Sequence, residues 1–316
     1  MSAGLALKRL LELLFLLLII TLICFAMMRL AGSDVIVQKM AVSGVALAPE
    51  VVAQAREQLG LDAPFLTQYW RWLSGVLVGD MGVSYISMRP VFETFMEKLP
   101  ATLLLAVMSL AVSVAVAVPL GVLGAVYHNR WIDDVVRSLS FLGNSLPNFF
   151  VALLLMYFLA IRADWLPVLS NNITPSSALL PTLTLSCAII AKYIRQVRAV
   201  VLDELAKEYV QVARSRGIAF WKILLHNVIP IVCVPILTIV SLSFASLLGG
   251  TAIIESIFLW DGIGKLAVDA IRMRDYPMVQ AYVMWMAVLY VGINTLTDLA
   301  YQYLEGRKRA FRRGAP

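Results

Sequence analysis

The sequence predicts an all-α polytopic membrane protein: six transmembrane helices, an outer-face helical segment after the first span, and a cytoplasmic helix-bearing loop between the fourth and fifth. Three observations predict it. The 316 residues are 60% hydrophobic and 15% charged, with a mean hydropathy of +0.83, whereas soluble domains are about a quarter charged. Several stretches without Asp, Glu, Lys or Arg match the roughly 20 residues a helix needs to cross a ~30 Å hydrocarbon core. The basic residues alternate in density from one inter-span segment to the next, as the positive-inside rule requires. This balance excludes a soluble globular domain and a disordered chain, and three cysteines exclude a disulfide scaffold.

Taken in order, the first span is Leu13–Met28, 16 charge-free residues extended backwards by Leu10 and Leu11 past Glu12, with Arg29 able to snorkel at its far end. It is read as uncleaved: the run exceeds a usual signal-peptide core, no A-x-A site follows, and Ile23 before Cys24 does not fit a lipoprotein site. The outer segment begins with a helix opened by Pro49 and closed at Gly60. It then passes through Leu61 to Pro64 into an aromatic helix carrying Tyr69, Trp70 and Trp72, and turns at Gly79-Asp80-Met81-Gly82. Its Trp and Tyr residues suit a membrane interface. Leu99–Tyr127 (29 residues), Ser138–Ile161 (24), Asn227–Ile254 (28) and Tyr276–Thr297 (22) are the second, third, fifth and sixth spans. The fourth, Ala178 to about Ala199, carries Lys192, Arg195 and Arg198 on one stripe, and without it the count is five. The expected divisions are thus 1–30, 31–98, a core at 99–304 containing a cytoplasmic loop at 203–226, and a basic tail at 305–316.

With the N-terminus inside, 67 cytoplasmic residues hold 16 Lys and Arg while 111 outer residues hold 10, so both termini are expected in the cytoplasm. The net charge of +6 therefore reports topology, and no nucleic-acid partner is expected; membrane lipid is.

Chemistry-bearing motifs are mostly missing. There is no G-x-x-x-x-G-K-[ST], since Gly264-Lys265 is followed by Leu266, so the chain is not expected to hydrolyse a nucleotide. Gly143-Asn144-Ser145-Leu146-Pro147 lacks the second glycine of a hydrolase elbow, and His128 and His226 fall in loops, which disfavours a membrane enzyme. No Cys/His cluster has metal-site spacing, and no catalytic or metal residue is assigned. A secondary transporter would need acidic residues in mid-span, which the charge-free runs lack.

The inner loop is informative. It reads Glu208-Tyr209-Val210-Gln211-Val212-Ala213-Arg214-Ser215-Arg216-Gly217, then nine residues, then Asn227-Val228-Ile229-Pro230. This resembles the permease subunits of ABC importers, whose inner loop carries E-A-A-x-x-x-G, nine residues and I-x-L-P. Ala213, Gly217 and Pro230 match, while Gln211, Val212, Asn227 and Ile229 depart from the pattern. A short helix closed by glycine and held by short connections can dock in a groove of a cytoplasmic partner and move as a rigid body. The resemblance narrows to the dipeptide, oligopeptide and nickel branch through Leu59-Gly60-Leu61-Asp62-Ala63-Pro64, Gly79 to Ser84, Ser145-Leu146-Pro147-Asn148-Phe149, Glu255-Ser256-Ile257-Phe258 and Arg274-Asp275-Tyr276-Pro277. Asp261-Gly262 stands where relatives have Pro-Gly.

The resemblance implies a bacterial inner-membrane permease that pairs with a second permease, two ABC ATPase subunits and an extracytoplasmic binding protein. It also implies that ATP and Mg are used by the ATPases and no cofactor is bound by this chain. Glu208, Tyr209, Gln211, Val212, Ala213, Arg214, Arg216 and Gly217 are then the ATPase-coupling residues. The short segment Arg162–Ser177 resembles nickel-type members, so nickel or a metal chelate is the expected cargo and peptide the alternative.

For the translocation path the candidates are Asn144, Ser145 and Asn148, the two asparagines sharing a helical face beside Pro147. Interhelical hydrogen bonding explains them equally. Gly249-Gly250 permits close helix packing or an unwound gate, and Glu255 lies at an outer gate or in water.

Overall fold

A computed structural model describes residues 3–30, 62–168 and 174–313. They form α1 (Ala3–Leu30), α2 (Phe65–Leu77), α3 (Val91–Val126), α4 (Trp131–Ser145) and α5 (Asn148–Leu155, widening into a π-helical stretch Met156–Arg162). These are followed by α6 (Pro175–Leu205), α7 (Glu208–Ser215), α8 (Phe220–Ile223, running through a π-helical stretch Leu224–Val228), α9 (Ile229–Gly250), α10 (Ala252–Phe258), α11 (Ile263–Arg272) and α12 (Tyr276–Arg313). The β pairing among the described residues is an isolated bridge between Val83 and Pro90. The helix expected between Pro49 and Gly60 lies outside the described residues.

Four helical stretches are long and apolar enough to cross a membrane: Val91–Val126, Pro175–Leu205, Phe220–Gly250 and Tyr276–Thr297. At about 1.5 Å per residue each covers the ~30 Å core. α4 and α5 pass the same test only as a pair, bent by 102°, and Leu14–Leu30 is a shorter apolar helix. The described residues therefore hold four spanning helices, or five with the bent pair, where six were expected.

Two boundaries differ from the sequence expectation. The third span is not one kinked helix. Leu146 is extended (φ −91°, ψ 132°) and Pro147 precedes the first residue of α5, because proline drives the residue before it out of the α region. Asn144 and Asn148 consequently lie on different helices and do not share a face. The fifth span starts at Phe220 rather than Asn227 and ends at Gly250 rather than Ile254. Lys222 and His226 ride within it. The π-helical stretch before Pro230 gives its ring room where an α-helical turn would clash with the carbonyl four residues back.

The chain divides into two compact units, 1–100 with 265–291 and 101–264 with 292–316. In the first, α1 and α2 pack through Phe25, which meets Phe65, Tyr69 and Trp72 at 5.4, 5.6 and 5.7 Å between ring centroids. The Tyr69 and Thr21 hydroxyls share a 3.0 Å hydrogen bond. The turn predicted at Gly79–Gly82 is present, with Gly82 N donating to Asp80 Oδ1 (2.9 Å). Just after it, Ser84 Oγ and Tyr85 N donate to the buried carboxylate of Asp275 (2.5 and 3.1 Å). Two segments that resemble the importer branch are thus tied side chain to side chain by Ser84 and Asp275, 191 residues apart.

In the second unit α6 is the central helix. Of its apolar window 61% is buried, against 28% or less in the other three spanning stretches. It starts at a capping box of Thr174 and Ser177 with Pro175 in the first turn. Two of its buried hydroxyls are satisfied by backbone carbonyls: Thr184 Oγ1 donates to that of Leu180 (2.8 Å) and Ser186 Oγ to those of Thr182 (2.7 Å) and Ser109 of α3 (3.1 Å). Ser140 Oγ of α4 donates to the Ala191 carbonyl. Gly121 of α3 lies so close that a Cβ there would sit 2.7 Å from that of Val197, the small-residue contact by which membrane helices pack.

Candidate functional site

α7 is built by local chemistry at both ends. Glu208 in the first turn and Arg214 in the last complement the helix dipole. At the C-terminus Gly217 N donates to the Arg214 carbonyl (2.9 Å) and Ile218 N to that of Ala213 (3.2 Å), a Schellman closure that needs the left-handed conformation Gly217 adopts (φ +78°). Val210, fully buried, anchors the helix in a core with Ala125 of α3, Val197 and Val201 of α6, and Ile223, Leu224 and Val228.

The opposite side is open. Glu208, Tyr209, Val212, Ala213, Arg216 and Ile218 line a groove of 480 Å³. Its walls alternate apolar surface with one carboxylate and one guanidinium, which suits a protein segment carrying both apolar and charged side chains. Five of the eight predicted coupling residues therefore meet in one concavity, and Gly217 closes the helix that carries them. Gln211 and Arg214 point elsewhere: Gln211 Nε2 donates to the Ala206 carbonyl (3.4 Å), and the Arg214 guanidinium stacks over the Phe220 ring (4.8 Å).

One residue of this site was absent from the sequence reading. Glu204, buried at the end of α6, accepts from the Tyr209 hydroxyl (2.9 Å) and from Lys207 Nζ (2.5 Å). Burial, reinforced by that carboxylate, pushes the Tyr209 phenol up to about 12, so its hydroxyl stays protonated at physiological pH. The available signal was an i, i+5 Glu-Tyr pair across a helix end, which no sequence template singles out.

The path candidates fare differently. Asn144, Ser145 and Asn148 are exposed on the surface of this chain, with Ser145 Oγ donating to the Phe141 carbonyl (2.9 Å). Gly249 and Gly250 are exposed, and a Cβ on either would meet nothing within 4 Å, so no close packing within this chain explains them. Glu255 is fully buried, so of the two expected placements it does not lie in water. It accepts from Thr102 Oγ1 (2.7 Å) and Thr251 Oγ1 (2.9 Å). Trp260 Nε1 donates to the Ala101 carbonyl (3.0 Å) and Ile263 N to Thr102 Oγ1 (2.9 Å), closing the corner between α10 and α11. The sequence placed Glu255 at a span end and could not reveal the threonines that receive it.

Another buried carboxylate, that of Asp133, holds α4 to α6. Arg198 Nε and Nη2 grip Asp133 Oδ1 and Oδ2 (2.6 and 2.7 Å), and Asn129 N donates to Oδ2 (3.1 Å). No three His, Cys, Asp or Glu side chains converge to hold a metal among the described residues.

Comparison with known proteins completes the assignment. The family described as the binding-protein-dependent transport system inner membrane component matches residues 117–310, and its N-terminal counterpart matches residues 4–106. The chain belongs to this family. It is a permease subunit of an ABC importer, as the loop motif implied. A probable peptide ABC transporter permease of Sinorhizobium fredii is 35% identical over 310 residues, covering 96% of this chain and 98% of the relative. A glutathione transport system permease of Salmonella paratyphi A is 35% identical over 296 residues, covering 93% and 95%. Among solved structures, an inward-facing methionine ABC transporter matches with a TM-score of 0.55 at 16% identity, over 66% of this chain and 95% of the other. That likeness shows the fold. The nickel cargo expected from the short Arg162–Ser177 segment is not supported by these relatives, which carry peptide names; loop length is a weak discriminator because surface insertions are tolerated at little energetic cost.

Proposed function

We propose that this permease forms one half of the path of a peptide importer, and that α7 is the helix by which a cytoplasmic ATPase drives it. The groove lined by Glu208, Tyr209, Val212, Ala213, Arg216 and Ile218 carries the coupling proposal. It is a concavity on a rigidly capped helix whose far side is buried against α3, α6 and α8. In this reading both termini face the cytoplasm, a second permease pairs with this chain, two ATPases bind beneath, and a binding protein delivers cargo from outside. Asn144, Ser145, Asn148, Gly249 and Gly250, exposed on this chain, are available to the path or to the second permease. Glu255 is reassigned from the path to the packing of the α10–α11 corner.

Short peptides are the proposed cargo because relatives covering nearly the whole chain are named for peptide and glutathione transport. The test is uptake in cells lacking other peptide importers. Labelled glutathione and trialanine should enter only when the ATPase is functional. Uptake of nickel but of neither peptide would return the cargo to a metal; uptake that survives ATPase inactivation would overturn the importer reading.

A further inference from the structure

α6 ends at Leu205 and α7 begins at Glu208, so only Ala206 and Lys207 separate a central buried helix from the groove-bearing one. Lys207 is extended (ψ 148°), which makes this connection a two-residue hinge. A hinge that short still leaves α7 free to swing unless something spans it. Glu204 does. Its carboxylate stands on the α6 side and takes one oxygen to Tyr209 on the α7 side, with the other held by Lys207 within the hinge. Lys207 is half-exposed (55%) and water weakens its contribution. Tyr209 is half-buried, and a hydrogen bond from a neutral donor to a buried carboxylate is among the stronger kinds.

Tyr209 has a second face: its ring is a wall of the groove. Thus a partner seated in the groove presses on a ring whose far end is tied to α6, without the motion being absorbed in the two-residue connection. We propose that Glu204 is a positioning residue that cross-braces the α6–α7 hinge through Tyr209 and makes movement of α7 act directly on α6. This rests on the docking reading of the groove and goes beyond it by naming the contact that carries the displacement. Val210 supplies grip through packing, but methyl groups sliding over Val201 and Ile223 have no directional preference, whereas the hydroxyl–carboxylate bond does.

The test uses the assembled transporter in proteoliposomes, with its ATPase subunits inside and its binding protein outside. The readout is the ratio of binding-protein-stimulated to basal ATP hydrolysis, which reports transmission through the permease. In Glu204→Ala, which alters no residue lining the groove, the ATPase should still co-purify while the ratio falls by about threefold or more, the scale of coupling changes produced by breaking one contact in such a network. Tyr209→Phe, which keeps the ring in the groove and removes only the hydroxyl, should lower the ratio to the same degree. Glu204→Gln, whose amide oxygen can still accept from Tyr209, should restore most of it. An unchanged ratio in both Tyr209→Phe and Glu204→Ala overturns the cross-brace while leaving docking intact. Gly217→Val serves as the separate check on docking: ATPase association unaffected by it would overturn the groove as the docking site, whatever the ratio does.

Discussion

Glu255 lies sealed from solvent because the two glycines that follow it have no side chains. A Cβ on Gly262 would stand 2.4 Å from Thr102 Oγ1 and 2.5 Å from Glu255 Oε2, and one on Gly264 would stand 2.7 Å from the Ala252 Cα. Gly262→Ala should therefore destabilise the protein by about 1–3 kcal/mol, the usual range for overpacking, read as a lowered Tm in detergent. Gly249→Ala, with open space around it, should leave Tm unchanged or raise it slightly. A Gly262→Ala protein as stable as the parent would show that the corner can open. Asp133 poses the complementary case: a fully buried carboxylate gripped on both oxygens by Arg198. Removing the guanidinium in Arg198→Ala leaves that charge buried, and we expect a loss of about 3 kcal/mol in unfolding measurements.

At the scale of elements, α7 shows how far sequence spacing carries. Ala213, Gly217 and Pro230 located the helix, its stop and the following span, because closing a helix with a left-handed residue is a local requirement that glycine meets. Gly217→Val should strain that closure by about 1–2 kcal/mol and cut ATPase co-purification while the permease still inserts. Retained association would overturn the groove as the docking site. α6 shows the opposite limit. It was the least certain span in sequence, yet it is the most enclosed of the spanning stretches. Hydropathy measures fitness for lipid, and a helix surrounded by protein can carry Thr184 and Ser186 because neighbouring carbonyls satisfy them. The same reasoning explains α4 and α5: the apolar run was legible as membrane-compatible, but whether Pro147 bends a helix or starts a new one was decided by the extended Leu146.

For the whole molecule, composition decided that the chain lives in a membrane, and the density of basic residues predicts which way it faces. The orientation is checkable. Ser215→Cys should react with a membrane-impermeant maleimide only from the cytoplasmic side, and Ser74→Cys only from the outside. The reverse pattern would invert the topology. Membrane residence was written in the sequence, and an orientation is predicted by it, because lipid partitioning and the positive-inside rule act on local runs and counts, without regard to which helix packs on which. What only the tertiary structure decided was the partnership of residues far apart in the chain: Glu255 with Thr102, Asp133 with Arg198, Ser84 with Asp275, and the buried Glu204 beneath the groove. A carboxylate can be buried only where donors from other elements converge on it, and that convergence is a property of packing which periodicity and spacing do not encode.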